Sequence, residues 1–308
     1  MSETPLDAKR SAVSPASRLR ARAVSALKVV ILIGLVAWAH QRGLLLKTVE
    51  ALKPLELRDA LGACLALGVT LLCGVIRWRW ILRALHLKEP SVLLGLRLYY
   101  EGLFYNTFAP GAIGGDVLRA HWLKAHDSDR SKLHYLVTLG ERGLGLATLG
   151  VLGAHIWGGL TAALATVLIG AGLIYSLPRL HPHLREISPA WIVAAAMLNV
   201  ASHLISFLIY LSLARSLGVD LPLAEWFEVL TITVLAANLP VSIAGLGPRE
   251  AALISTLGTR GVGEGAALAL SLGVLATLAL HALLGGAVHL VSGGVSGGVA
   301  AGDSDTSA

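Results

Sequence analysis

The chain has 308 residues, of which 55% are hydrophobic and 14% charged, against about 25% charged in an ordinary soluble domain. That balance, with a mean hydropathy of +0.70, excludes a soluble globular protein. The formal charge of +6 raises the question of nucleic acid. The Lys and Arg residues instead collect in the leading segment and between apolar runs, with no basic stripe and interleaved aromatics, so no nucleic-acid partner is expected.

In chain order, residues 1–22 carry Lys9, Arg10, Arg18, Arg20 and Arg22 among Ser, Pro and Ala, which reads as a disordered basic tail. The apolar core 29–39, extended back past a snorkelling Lys28 to Ala23, is long enough for a first span. A cleaved signal peptide, with Ala37-Trp38-Ala39 as its cleavage pattern, is the alternative. Residues 60–76 form the second span and exit into Arg77, Trp78, Arg79, Trp80, Arg83 and Lys88, a cationic and aromatic interface signature. Cys64 and Cys73, nine apart in this run, give neither a disulfide framework nor a metal-ligand spacing.

Residues 91–119 are broken by Pro110, Gly111, Gly114 and Gly115 before Asp116. Irregular backbone cannot face lipid but can line a cavity, so a re-entrant helix pair is expected, followed by a cytoplasmic stretch 119–132. The next 36 residues without a charged side chain, 143–178, would make a helix about 54 Å long. That is too much for one crossing, so 133–153 and 157–177 read as a hairpin of spans three and four. Span five covers 187–214. A second broken segment, 226–257, contains Asn238, Pro240, Gly245, Gly247 and Pro248. Residues 265–291 are the last span, and 292–308 a flexible Gly/Ser tail.

The expected architecture is therefore all-α: a polytopic membrane bundle over 23–291, with six spans and two re-entrant broken helices. Both termini are then cytoplasmic, in a multi-pass protein of the cytoplasmic (inner) cell membrane. Sixteen of the 25 Lys and Arg residues fall in the cytoplasmic segments, as the positive-inside bias requires.

The two broken segments resemble each other. Each passes from an Asn (Asn106, Asn238) through Pro and Gly to an Arg beside a carboxylate, Arg119 near Asp116 and Arg249 beside Glu250. An odd number of spans between them places them on opposite membrane faces, as an inverted-topology repeat predicts. Such breaks free backbone groups and expose half-helix ends, and an Arg there can hold a phosphate by paired hydrogen bonds. Arg119 and Arg249 are candidate ligands for an anionic headgroup, with Asn106 and Asn238 as orienting donors. The alternative is that the Arg–carboxylate pairs only neutralise each other and staple the breaks.

Glu141 and Arg142 sit inside span three, where ionisable groups cost several kcal/mol unless paired or wet. Helix neighbours do not face each other, so each should meet a partner elsewhere, Arg119 or Arg249 in the case of Glu141. Asn199, Ser202, His203, Ser206 and Tyr210 share one face of span five and read as helix-to-helix glue. His281 and His289 lack a carboxylate at ligand spacing, so no metal is expected. Glu101 is a candidate carrier of a proton or cation. No nucleotide-binding motif and no convergent nucleophile with an acid and base is visible, so neither a cofactor nor an enzyme is expected.

Three stretches carry a resemblance: GLFYNTFAPGAIGGDVLR at 102–119, Glu141-Arg142, and PVSIAGLGPRE at 240–250. Together they resemble the lysylphosphatidylglycerol synthase transmembrane-region family, also called flippase-like or UPF0104 membrane proteins, over residues 25–291. The resemblance implies a lipid-handling membrane domain, in the best-known members the part that moves an aminoacylated phospholipid between leaflets. Their soluble aminoacyl-transferase domain is not expected in this protein, and other members are associated with polyprenyl-linked sugar or hopanoid pathways. The expected function is a lipid translocase acting on a polar or anionic lipid. A scaffold or accessory subunit of a lipid- or glycan-modifying enzyme is the alternative.

Overall fold

The structure, a computed structural model, describes residues 55–108, 114–126, 137–154 apart from 139, 158, 159, 161, 188–237 and 248–291. The basic tail, the first span, most of the fourth and the Gly/Ser tail lie outside the described residues, as do Pro110, Gly111, Asn238, Pro240, Gly245 and Gly247.

The described residues form eight helices and no strand. They are α1 (Leu57–Ala84), α2 (Val92–Phe108), α3 (Gly114–His126), α4 (140–154), α5 (Pro189–Ser216), α6 (Leu223–Ala237), α7 (Pro248–Gly258) and α8 (Glu264–Val291). Helices α1, α5 and α8, each 28 residues, are long and apolar enough to cross a membrane. At 1.5 Å per residue each is about 42 Å long, against a hydrocarbon core of about 30 Å. The protein is a multi-pass membrane-spanning helical bundle. Its outer faces carry Leu65 and Met197, each 70% exposed, side chains that acyl chains solvate as readily as a protein core does.

Local sequence stops these helices sharply. Past α1, His86 adopts a left-handed φ of 53°. The His86 and Leu87 N–H groups then donate to the carbonyls of Arg83 and Leu82, at 3.1 and 2.9 Å. Gly218 (φ 66°) and Gly261 (φ 80°) close α5 and α7 in the same way. In each case the reversed turn satisfies carbonyls that the helix end leaves open.

The expected second span, 60–76, continues as helix to Ala84. Part of the charged turn read as its exit packs into the bundle, with Trp78 only 1% exposed and Leu82 fully buried, while Lys88 is exposed. Helix α5 packs antiparallel along α1. Ser216 donates to Asp59 at 2.6 Å at one end, and the Ser188 N–H donates to the Ala84 carbonyl at 3.1 Å at the other. The Arg83 guanidinium lies 4.6 Å over the Trp191 ring.

In each of the two segments the described residues form two helices, α2 and α3 on either side of residues 109–113 and α6 and α7 on either side of 238–247, which lie outside the described residues. Helix α3 runs past Arg119 into the stretch expected to be a connection, because Ala120, Trp122 and Leu123 bury an apolar face there. Helices α2 and α3 cross at glycine on glycine, where a Cβ on Gly115 would stand 2.8 Å from the Gly102 Cα. Beyond the second break, Arg260 reaches back to Glu225 at 3.1 Å and Glu228 at 2.6 Å, tying the end of α7 to α6.

Candidate functional site

A group of charged and polar side chains is assembled from α1, α2, α3, α4 and α5. Its centre is Glu141 on α4, only 5% exposed. The carboxylate accepts from Arg77 Nη2 on α1 at 3.2 Å, from the Tyr99 hydroxyl on α2 at 2.8 Å and from Arg119 Nη2 on α3 at 3.2 Å. The Tyr99 oxygen is also 2.8 Å from the Gly74 carbonyl, so its single proton is shared between the two acceptors. A buried carboxylate persists only when several donors replace the water it has lost, and Glu141 has three.

Arg119 is held from three sides. It donates to Asp116 Oδ1 at 2.7 Å, one turn earlier on α3, and its guanidinium lies 4.4 Å over the Tyr99 ring and 5.9 Å from that of Trp78. Aromatic faces attract a cation without neutralising it. The other Asp116 oxygen accepts from Arg142 at 2.7 Å through Nε, with Nη2 at 2.6 Å, and the Arg142 side chain is 50% exposed. Glu141 and Arg142, adjacent on α4, thus turn to different partners, and Glu141 does meet Arg119. Among the described residues three arginines, Arg77, Arg119 and Arg142, surround the two carboxylates Glu141 and Asp116.

The network continues to α5. Arg77 Nη1 donates to Asn199 Oδ1, and Asn199 Nδ2 donates to the Thr148 hydroxyl on α4. Asn199 is 1% exposed. We expect Asn199→Ala to cost about 1–3 kcal/mol, because it strips partners from two buried polar groups. A lowered midpoint of thermal unfolding in mild detergent is the result expected, and an unchanged midpoint would remove Asn199 from the network.

The sequence-derived candidates therefore fall into two groups. Asp116, Arg119, Glu141 and Arg142 come together around the first break. Asn106 lies at the edge of this group: its Oδ1 accepts the Gly115 N–H at 2.8 Å, satisfying an open donor of the first turn of α3. Gly114 and Gly115 begin that helix. Arg249 and Glu250 form the second group, in the first turn of α7. Arg249, 3% exposed, donates to Glu250 Oε1 through Nε at 3.0 Å and Nη2 at 2.7 Å, and Ser271 on α8 donates to the same oxygen at 2.8 Å.

Three residues in the first group escaped sequence reasoning as site residues. Arg77 passed for an interfacial anchor and Asn199 for helix glue, and Tyr99 carried no local signal. The one available clue was Arg77 followed by buried-type aromatic and aliphatic residues at helical spacing, Trp78, Ile81 and Leu82.

Fold and site together define a polytopic helical membrane protein with an ionic network between its helices. The family of the lysylphosphatidylglycerol synthase TM region matches residues 25–285, and the chain belongs to that family. Neither the curated proteins nor the solved structures give a match to this chain.

Proposed function

We propose that this protein is a lipid translocase of the cytoplasmic membrane, moving a polar or anionic lipid between leaflets without covalent chemistry. The observation that carries the reading is the cluster of arginines and carboxylates in the first group, with Arg142 half-exposed at its edge. Ionisable groups at membrane depth cost several kcal/mol unless paired or wet, and arginines held by carboxylates at a half-exposed edge can pass to an anionic headgroup without losing a paired state. A phosphate would exchange places with Asp116 on Arg142 and Arg119 by paired hydrogen bonds, while the acyl chains stay in the bilayer. The second Arg–carboxylate pair, Arg249 with Glu250, offers the same chemistry at the other break.

The test is leaflet exchange of fluorescent phosphatidylglycerol and of a fluorescent polyprenyl phosphate in vesicles holding the purified protein. Wild type should speed exchange of at least one probe, and Arg119→Ala with Arg249→Ala should lose that exchange while still running as a folded species in detergent. Equal exchange by both proteins would overturn the mechanism. The buried, mutually neutralising pairs also suit a scaffold that holds a lipid- or glycan-modifying enzyme. A neighbouring enzyme that co-purifies and fails without this chain, in the absence of exchange, would favour that reading.

A further inference from the structure

Asp116 joins two guanidiniums, one through each of its oxygens. Its Oδ1 accepts from Arg119 Nη2 at 2.7 Å, and its Oδ2 accepts from Arg142 Nε at 2.7 Å, with Nη2 at 2.6 Å. Donors from α3 and α4 thus converge on two oxygens that share one negative charge. A phosphodiester has the same inventory, two free oxygens sharing one negative charge, and takes up guanidinium donors in the same way.

The two arginines differ in what else they offer. The Arg142 side chain is 50% exposed and that of Arg119 12%, so the site opens at Arg142 and closes at Arg119. Arg119 Nε is buried and has no hydrogen-bond partner among the described residues. A ligand that takes up this nitrogen as well as Nη2 gains a bond that Asp116 does not supply. Behind Arg119 stands Glu141, which accepts from the same Nη2 at 3.2 Å and is held by Arg77 and Tyr99 as well.

Asp116 can give way by turning its own side chain. It lies in the first turn of α3, where the open N–H groups of a helix start favour negative charge. Its carboxylate therefore keeps a favourable setting after it releases the arginines, and no helix has to move.

We propose that Asp116 is a resident mimic of a lipid phosphate, competing with the ligand for Arg119 and Arg142, while Glu141 behind them restricts the ligand to phosphodiesters. The inference rests on the anionic-headgroup reading of this site and deepens it. A phosphodiester replaces the single charge of Asp116 with a single charge. A phosphomonoester ionises a second time near pH 6. It would bring that additional charge to the Arg119 nitrogen that Glu141 already shares, and a like charge so close disfavours the doubly ionised form.

The test offers the full chain in mild detergent equal amounts of dioleoyl phosphatidylmethanol and dioleoyl phosphatidic acid, which differ by one methyl ester on the phosphate. At about pH 8 the second lipid is doubly charged. Bound lipid read by native mass spectrometry should favour the diester about tenfold in wild type. In Asp116→Asn, which keeps the side-chain shape and removes the charged rival, diester binding should rise about fivefold or more. A residue that only supports the structure would lower it. Equal or preferential binding of phosphatidic acid by wild type overturns the lipid class. Unchanged or weaker diester binding by a folded Asp116→Asn overturns the mimicry. Should that variant not fold, difference infrared spectroscopy of wild type carrying isotope-labelled aspartate reads the same event. Phosphatidylmethanol should then shift an aspartate carboxylate band, and silence in those bands overturns the mimicry.

Leaflet exchange separates this inference from the translocase reading. Exchange of fluorescent phosphatidylglycerol, with neither a diester preference nor a gain in Asp116→Asn, overturns the inference and leaves the translocase standing. A diester preference and a gain in Asp116→Asn without exchange overturn the translocase and leave the mimicry. Absence of all three overturns both.

Discussion

Glu141→Leu is expected to destabilise the protein by about 3–5 kcal/mol, the usual cost of removing one partner from a buried ionic group. Glu141 accepts from Arg77, Tyr99 and Arg119. Its loss leaves Arg119 with Asp116 alone and Arg77 with no described carboxylate, both inside the bundle. Glu141→Gln keeps an acceptor oxygen and the side-chain volume, so it should cost less, about 1–3 kcal/mol. Intrinsic fluorescence is a suitable probe because Trp78 and Trp122, with ring centres 6.0 Å apart, lie in the same region. A Leu variant that melts with wild type would mean that the network carries no stability. Pairing Glu141→Leu with Arg77→Met should recover part of the loss, since the second change removes the charge that the first one orphaned.

Gly115→Ala should produce the next largest effect, about 1–3 kcal/mol of overpacking. The new Cβ would lie 2.8 Å from both the Cα and the carbonyl oxygen of Gly102. These are backbone atoms, so no rotamer change can make room and the two helices must separate. Gly102→Ala meets the same obstacle from the other side, at 3.0 Å from the Gly115 Cα. Gly150 on α4, with no described atom within 4 Å of an added Cβ, is the control, and Gly150→Ala should be neutral or stabilising by about 0.5–1 kcal/mol. Equal melting points for Gly115→Ala and wild type would show that the crossing is looser than described.

The parts of this site that are legible in sequence are local ones. Arg119 and Asp116 are one helical turn apart, and Arg249 and Glu250 are neighbours, so their pairing needs no knowledge of the fold. The Pro and Gly runs between Asn106 and Asp116 likewise announce an interrupted helix, because no other element at membrane depth tolerates them. What stays hidden is set by packing. A cationic and aromatic turn such as Arg77 to Trp80 has the same composition whether it faces headgroups or a buried carboxylate, and only the arrival of α4 and α5 decides between them. His289 looks isolated in sequence because the carboxylate 3.3 Å from its ring, Glu101, is on another helix 188 residues away. Helix α3 reads short at Arg119 because polar side chains dominate the composition there, whereas Ala120, Trp122 and Leu123 bury its apolar face.

The reach of Arg77 also has a consequence for how the chain is made. Its partners Glu141 and Asn199 lie 64 and 122 residues downstream. At a synthesis rate of about 5–20 residues per second, Glu141 is made roughly 3–13 s after Arg77 and Asn199 roughly 6–24 s after it. Through that interval the newborn α1 carries a guanidinium whose final acceptors do not yet exist, so α1 is expected to linger at the insertion machinery until α4 emerges. A ribosome-bound chain halted before residue 141 should crosslink to the translocon through α1, and one halted after Asn199 has cleared the channel should release it.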